Sequence, residues 1–493
     1  MTTGDDAQLT RWETFVRNIG KFMPDLPVLG FAFWFAWNLI AFSGTLWTDA
    51  GMSSLSISIF FVAHLAVSAL THLVVCFAGE RAVRYIMHSA WIYIGAIVGT
   101  LGTAMMLYVN IDTGSVLISS LFVLACTMAG FGTSLLFIRS ATIYSTRSPR
   151  RSFAAIFLCA LFAIAVYCVV DGYRDTVGPF LFALLPCMSA FCLVVKRYTS
   201  LELTFVNTVL PIPRQFKLLL LAIFIYSFAQ DTTKSYLLTD MPVSQSAACM
   251  QYVMLGLMVL SVIMIGMELS IPQADMRFGR IYYPLALLFV VPQVALPAIY
   301  AEPLLPAIGI DFAGYAFDLL LWAMASFLAY RMQGNSILFI CLCTASLSVG
   351  LALGTATGTL LLAAHISNMA FQAVNLALAV ASIVMTIFVF PEHRLNEIFT
   401  PIEEEADEQE ATHRAYWLEA CDRVAAKGGL TEREKEVFIQ IAKGQTAQQV
   451  ADELVVSVHT VRAHVRKIHS KLEVSSRKEI IALIEGHMDK LDL

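Results

Sequence analysis

Between residues 457 and 472 the chain sorts its side chains by chemistry. Val461, Val465, Ile468 and Leu472 recur at helical spacing as one apolar stripe, while His459, Ala463, Arg466 and Ser470 take the opposite face, flanked by Arg462 and Lys467. The apolar back lets such a helix pack on a small domain, and the Arg/Lys/His front suits phosphate oxygens and base edges in a major groove. Ser457 is a natural N-cap for it, after a short helix over 446–454 and a Val455-Val456 turn. An earlier helix is expected to start at Thr431, with Glu434 completing a capping box and Gly444 stopping it near Lys443; a last one spans 476–486.

A second group of chemically capable residues sits in very different surroundings. Gln230, Asp231 and Lys234 fall within about one helical turn of a long apolar segment, and Asp231 can pair with Lys234 at i,i+3. At ~1.5 Å per residue Asp231 lies roughly 20 Å along that segment, past the midplane of a bilayer. Asp318 reaches a similar level in another segment. Ionisable groups at such depth usually face a cavity or a partner. Either these residues line a ligand site, or the Asp231–Lys234 pair is solvated at the edge of a short span. Trp34, Asn38 and His64 are further candidates for a polar-lined pocket, with His72 eight residues from His64 and near the same face; Trp37, Gln251, Gln372 and Asn375 are weaker ones.

The elements that must position these residues follow from composition. The chain is 58% hydrophobic and 14% charged, with a mean hydropathy of +0.71, against roughly a quarter charged residues in a soluble protein. Twelve apolar stretches between residues 22 and 391 are long enough to cross a bilayer, centred on 28–46, 54–78, 86–108, 115–138, 153–170, 177–195, 217–238, 246–267, 281–300, 312–332, 336–362 and 367–390. An all-α, polytopic membrane protein is therefore expected, and the polar 1–21 head leading straight into a full-length span argues against a cleavable signal peptide. With both termini on one side, alternate loops leave Arg174 and Lys234 as the basic residues of the other side, so the positive-inside rule makes both termini cytoplasmic. Ladders at Gly95/Gly99 and Gly350/Gly354/Gly358 read as close helix packing. The cysteines, mostly scattered through the spans, read as small apolar residues, with neither disulfides nor zinc expected.

The C-terminal residues closely resemble the LuxR-type (NarL/FixJ) helix-turn-helix. The resemblance is carried by Leu430-Thr431-x-Arg433-Glu434-x-Glu436-Val437, Ala442-x-Gly444, Val450-Ala451-x-x-Leu454, Val456-Ser457-x-x-Thr460-Val461-Arg462-x-His464, and Lys471-Leu472-x-Val474. Where the family prefers S-N-K-E-I-A in its second helix, this chain has Thr446-Ala447-Gln448-Gln449-Val450-Ala451. Carried over by position, the resemblance implies that Arg462, Ala463 and Arg466, with His459, face base edges. It implies that Thr460, Lys467 and Lys471 grip phosphates and that Ile480 and Ile484 make a dimer contact. Residues 430–487 hold nine Lys/Arg and eight Asp/Glu, so the basic face is local, and binding to paired half-sites is expected.

The spans divide six and six about the connection at 196–216, with Pro211 and Pro213, which resembles the layout of the major facilitator superfamily. That family's G-x-x-x-D-R-x-G-R/K loop motif is poorly matched at Gly79-Glu80-Arg81 and better, with one inserted residue, at 274–280. The expected organisation is a cytoplasmic head (1–21), a first six-helix half (22–195), a central loop (196–216), a second half (217–390), an acidic linker and signalling helix (391–429) and the helix-turn-helix domain (430–493). The linker carries an acidic run over 403–410 and a helix over 411–427, whose Tyr416, Trp417, Ala420 and Val424 form a stripe for signalling, for dimerisation or for docking on its own domain.

The soluble part shows no P-loop, no nucleophile–base arrangement and no metal-ligand spacing, so no enzyme, cofactor or metal is expected. No receiver domain is evident, so phosphorylation is not the expected input. The implied protein is a one-component transcription regulator in the cytoplasmic (inner) membrane. It senses an unknown small molecule and binds double-stranded DNA at a palindromic promoter site, as a homodimer at least on DNA. The alternatives are a facilitator-type transporter with a DNA-binding regulatory tail, and a carrier with a tail that binds another protein.

Overall fold

The computed structural model describes residues 26–43, 54–77, 86, 88–109, 116–145, 149–195, 214–238, 243–270, 290–291, 293–294, 304–331, 336–389, 420–442, 448, 450–451, 454, 457–472, 474, 479–480 and 483. The chain forms two compact units, Met1–Phe399 and Thr400–Leu493. Among the described residues every regular element is helical.

In the first unit a 3-10 turn, Leu26–Val28, leads into α1 (Leu29–Ser43), followed by α2 (Ser54–Phe77), α3 (Ala90–Tyr108), α4 (Val116–Ser145), α5 (Pro149–Gly172) and α6 (Gly178–Val194). The second half holds α7 (Arg214–Leu238), α8 (Val243–Ser270), α9 (Leu304–Arg331), α10 (Ser336–Ala363) and α11 (Asn368–Val389). Ten of these are long and apolar enough to cross a membrane, and α6 is a shorter apolar helix of 17 residues. Helices suit this solvent because they satisfy every backbone donor and acceptor within the segment. Of the expected ninth span, 281–300, only residues 290–291 and 293–294 are described, all helical. The central loop 196–213 and both motif loops lie outside the described residues.

Apolar side chains on the outward faces, such as Leu70, Phe77, Leu101, Val259, Ile263 and Ile387, remain exposed, as a lipid-facing surface requires. Inward, helices approach closely at small residues. A Cβ on Gly132 of α4 would lie 2.3 Å from the backbone nitrogen of Gly99 in α3, and one on Gly354 of α10 would lie 2.7 Å from the Phe228 carbonyl oxygen in α7. The halves meet where α2 packs on α10 and α5 packs on α8. Thr359 of α10 donates to the Ser58 hydroxyl of α2 at 3.0 Å across that seam.

One boundary matters for the site. The segment expected to begin at 312 begins at Leu304, because apolar residues 304–310 continue the helix and Pro306 falls in its first turn, where a missing N–H costs nothing. Asp311 is therefore inside α9 and is 1% exposed.

In the second unit, residues 420–427 are helical and end in a Schellman motif: Gly429, at φ +60°, donates to the Ala426 carbonyl, and Leu430 donates to that of Ala425. Helix α12 (Glu432–Ala442) and helix α13 (Val458–Leu472) follow. Their core joins Val437 and Phe438 to Val461 and Ile468, and Ala420, Cys421, Val424 and Ala425 are buried in the same cluster. The apolar stripe ahead of the domain thus docks, over these residues, on the domain itself; Tyr416 and Trp417 lie outside the described residues.

Candidate functional site

A cavity of ≈ 80 Å³ lies between the helices of the first unit. Helix α7 supplies Gln230, Asp231 and Lys234 to its wall, and α9 supplies Asp318. From the other half α1 brings Trp34 and Asn38, and α2 brings His64. All the residues singled out as a ligand group in the sequence therefore face one cavity. His72 lines it as well. Trp37 does not: it is fully buried, and its indole N–H donates to Thr103 at 3.0 Å. Gln251 is exposed, and Asn375 is tied up with Thr233 and the Gln293 carbonyl.

The expected i,i+3 pair between Asp231 and Lys234 is not formed. Lys234 Nζ instead sits 3.0 Å from Asp311 Oδ1, with the two side chains 11% and 1% exposed, and lies 5.4 Å from the centre of the Tyr315 ring. Asp231 accepts a hydrogen bond from the Thr355 hydroxyl of α10. The partner of Lys234 comes from another helix because α9 presents Asp311 and Tyr315 on one face, at i and i+4. Both groups are enclosed by protein, Asp231 being 7% exposed and the Lys234 side chain 11%.

Two further wall residues, Tyr315 and Trp322, were not singled out in the sequence. The spacing Asp311, Tyr315, Asp318, Trp322 (i, i+4, i+7, i+11) puts all four near one face of α9, a pattern that becomes complete only with the helix starting at Leu304. Glycine also shapes the wall: a Cβ on Gly314 would fall 1.6 Å from Gln230 Nε2, so a larger residue there would push that amide out of its place.

The second candidate site is α13. Ser457 caps it, its hydroxyl accepting from the Thr460 N–H at 3.1 Å. Val461 and Ile468 point into the core, while His459, Thr460, Arg462, Arg466 and Lys467 are exposed and Ala463 is half-buried. The reciprocal capping box is present: Thr431 N–H donates to Glu434 Oε2 at 2.9 Å, and Glu434 N–H reaches Thr431 Oγ1 at 3.4 Å.

Two assignments on this unit change with the geometry. Lys471 Nζ donates to Glu434 Oε2 at 2.6 Å and to the Gly429 carbonyl at 2.9 Å, so two of its three donors bind α13 to the preceding elements. The bond from Lys471, then that from the Thr431 backbone, hold the Glu434 carboxyl down at about 2. Ile480 is 1% exposed and belongs to the domain's own core, so its side chain is not available to a second copy; Ile484 lies outside the described residues.

Comparison with known proteins assigns the two units separately. Residues 429–484 match the GerE family, bacterial regulatory proteins of the luxR family. The chain is 39% identical over 62 residues to the transcriptional regulatory protein LiaR of Bacillus subtilis (strain 168), covering 13% of this chain and 28% of that protein. It is 44% identical over 58 residues to the response regulator protein VraR of Staphylococcus aureus (strain Mu3 / ATCC 700698), covering 12% and 28%. The chain spans little more than a quarter of the length of these relatives. The membrane unit is similar in fold to the major facilitator superfamily transporter FucP in its outward conformation, with a TM-score of 0.51 at 13% identity over 74% of this chain and 96% of that one. The chain thus joins a C-terminal segment that matches the luxR family of bacterial regulatory proteins to a helical unit similar in fold to the facilitators.

Proposed function

We propose that this chain is a one-component transcription regulator of the cytoplasmic membrane, with both termini cytoplasmic, whose membrane unit senses a small molecule and whose LuxR-type domain binds promoter DNA. The observation that carries the reading is the cavity. It gathers the carboxylates of Asp231 and Asp318, the ammonium of Lys234 and aromatic rings on helices from both halves, in the same chain as a domain of the luxR family. A ligand bridging the halves favours one arrangement of them only through contacts it makes better in that arrangement.

The signal then passes through residues 391–419 to a domain whose core includes Ala420, Cys421 and Val424 from the end of that linker. Asp422 is also paired with Lys435 of α12 at 2.8 Å. A shift of the linker therefore acts directly on the packing beneath the recognition helix, altering whether two domains pair on a palindromic site. On DNA, Arg462, Ala463, Arg466 and His459 read base edges, and Thr460 and Lys467 hold phosphates, while Lys471 chiefly braces the helix.

The test is promoter binding by the intact protein in lipid nanodiscs with and without compounds from a small-molecule panel. Ligand-dependent binding supports the reading, and DNA binding indifferent to every compound contradicts it. A second reading, a transporter with a regulatory tail, is favoured by the similarity of fold to FucP. Uptake of labelled solute by a tail-deleted protein selects it.

A further inference from the structure

We infer that the cavity takes an organic cation, a small molecule carrying a positively charged nitrogen beside an aromatic or alkyl body. This rests on the reading of the cavity as a ligand site. The charge balance of the wall points the same way at each group. Among its described residues the ammonium is that of Lys234, already matched by Asp311 at 3.0 Å. Two carboxylates remain, on neighbouring helices: Asp231, which has a hydroxyl partner in Thr355, and Asp318, whose Oδ1 has no hydrogen-bond partner among the described residues. Carboxylates held away from water without a countercharge are costly, and a cation brought by the ligand supplies it.

The aromatic groups fit the same occupant. Trp34 and Trp322 meet edge to face with ring centres 5.2 Å apart, and both line the cavity. Indole faces attract a cation most strongly among aromatic side chains, more so where water is excluded. The Trp322 indole N–H and the Tyr315 hydroxyl are 7% and 8% exposed by residue and have no partner among the described residues, so each is free to bond a polar atom of the ligand. His64 Nδ1 is buried and unpartnered in the same wall. An anion would face Asp231 and Asp318 and compete with Asp311 for Lys234. A neutral molecule would bring no charge to balance Asp318, whose Oδ1 is the carboxylate oxygen of the described wall with no partner of its own.

The test uses the full chain in detergent micelles, with labelled phenyltrimethylammonium as probe and two unlabelled competitors, its neutral isostere tert-butylbenzene and the anion benzoate. Saturable binding is expected, displaced by unlabelled probe and not by either competitor. Asp318→Asn is expected to weaken it at least about tenfold, with Asp318→Glu recovering part of the loss. Gly266→Ala, at a position with open space around it, leaves binding unchanged and controls for handling. If Asp318→Asn is poorly folded, Asp231→Asn carries the same expectation. The inference is overturned by absence of saturable binding, by equal competition from tert-butylbenzene or benzoate, or by full affinity in folded Asp318→Asn. Cation binding that leaves promoter occupancy unchanged sustains the ligand class and defeats the sensing role instead.

Discussion

Lys234 of α7 and Asp311 of α9 form a buried ion pair, Nζ to Oδ1 3.0 Å, beside the wall of the central cavity. It ties two helices of the second half together at the level where Asp231 and Asp318 enter. Removing one partner leaves the other charge uncompensated, which typically costs roughly 3–5 kcal/mol, whereas replacing both with apolar groups of similar size is often neutral. Asp311→Asn should therefore lower the thermal midpoint of the purified protein markedly. Lys234→Met with Asp311→Leu should recover most of that loss in the same melting assay.

Helix spacing at the α7–α10 contact gives a second expectation. A Cβ at Gly354 meets the Phe228 carbonyl at 2.7 Å and the Asp231 Cβ at 3.0 Å, neither of which can swing away. Gly354→Val should force the helices apart at a cost of about 1–3 kcal/mol, and should also displace Asp231. Gly266→Ala, with nothing within 4 Å, should be silent. Yield of monodisperse protein on size exclusion distinguishes the two.

Much of this was legible in the chain because charges in apolar segments are conspicuous. Asp231, Lys234 and Asp318 could be picked out one by one from the sequence. Their partnerships could not be read. Asp311 lies one residue before the apolar segment expected at 312–332, and only the helix starting at Leu304 carries it inside. Tyr315 and Trp322 were indistinguishable from the many aromatic residues that face lipid. In the C-terminal unit the caps at Thr431 and Ser457 are local chemistry and were readable, whereas the burial of Ile480 and the second role of Lys471 depend on packing between helices.

The DNA-binding unit should show a specific acid response. The Glu434 carboxyl, held near 2 by Lys471 and the Thr431 backbone, lies below its unfolded value of about 4.3. A depressed folded value means its stabilisation is fully present above the unfolded value and is lost as pH falls from there toward 2. The melting temperature of a 411–493 fragment should therefore drop across that window, and Glu434→Gln should be less stable at neutral pH with a smaller drop.

Substitutions on α13 should separate recognition from bracing. Arg462→Ala and Arg466→Ala should each weaken binding to the preferred promoter sequence by about 1–3 kcal/mol, and Lys467→Ala should reduce the salt slope of binding by about one. Lys471→Ala should instead lower the melting temperature, because its ammonium is bonded to Glu434 and Gly429. Anisotropy titrations across salt concentrations, run beside thermal melts, read both effects.

The central claim, that occupancy of the membrane cavity governs the DNA-binding domain, is tested most directly by a promoter reporter. Cells would carry the intact chain, Asp231→Asn, or the Arg462→Ala/Arg466→Ala double variant, at matched protein levels, and be challenged with a small-molecule panel rich in organic cations. The account predicts a compound-dependent change in output with the intact chain that is lost in both variants. Output unmoved by every compound, or a response that survives Asp231→Asn in full, would contradict it.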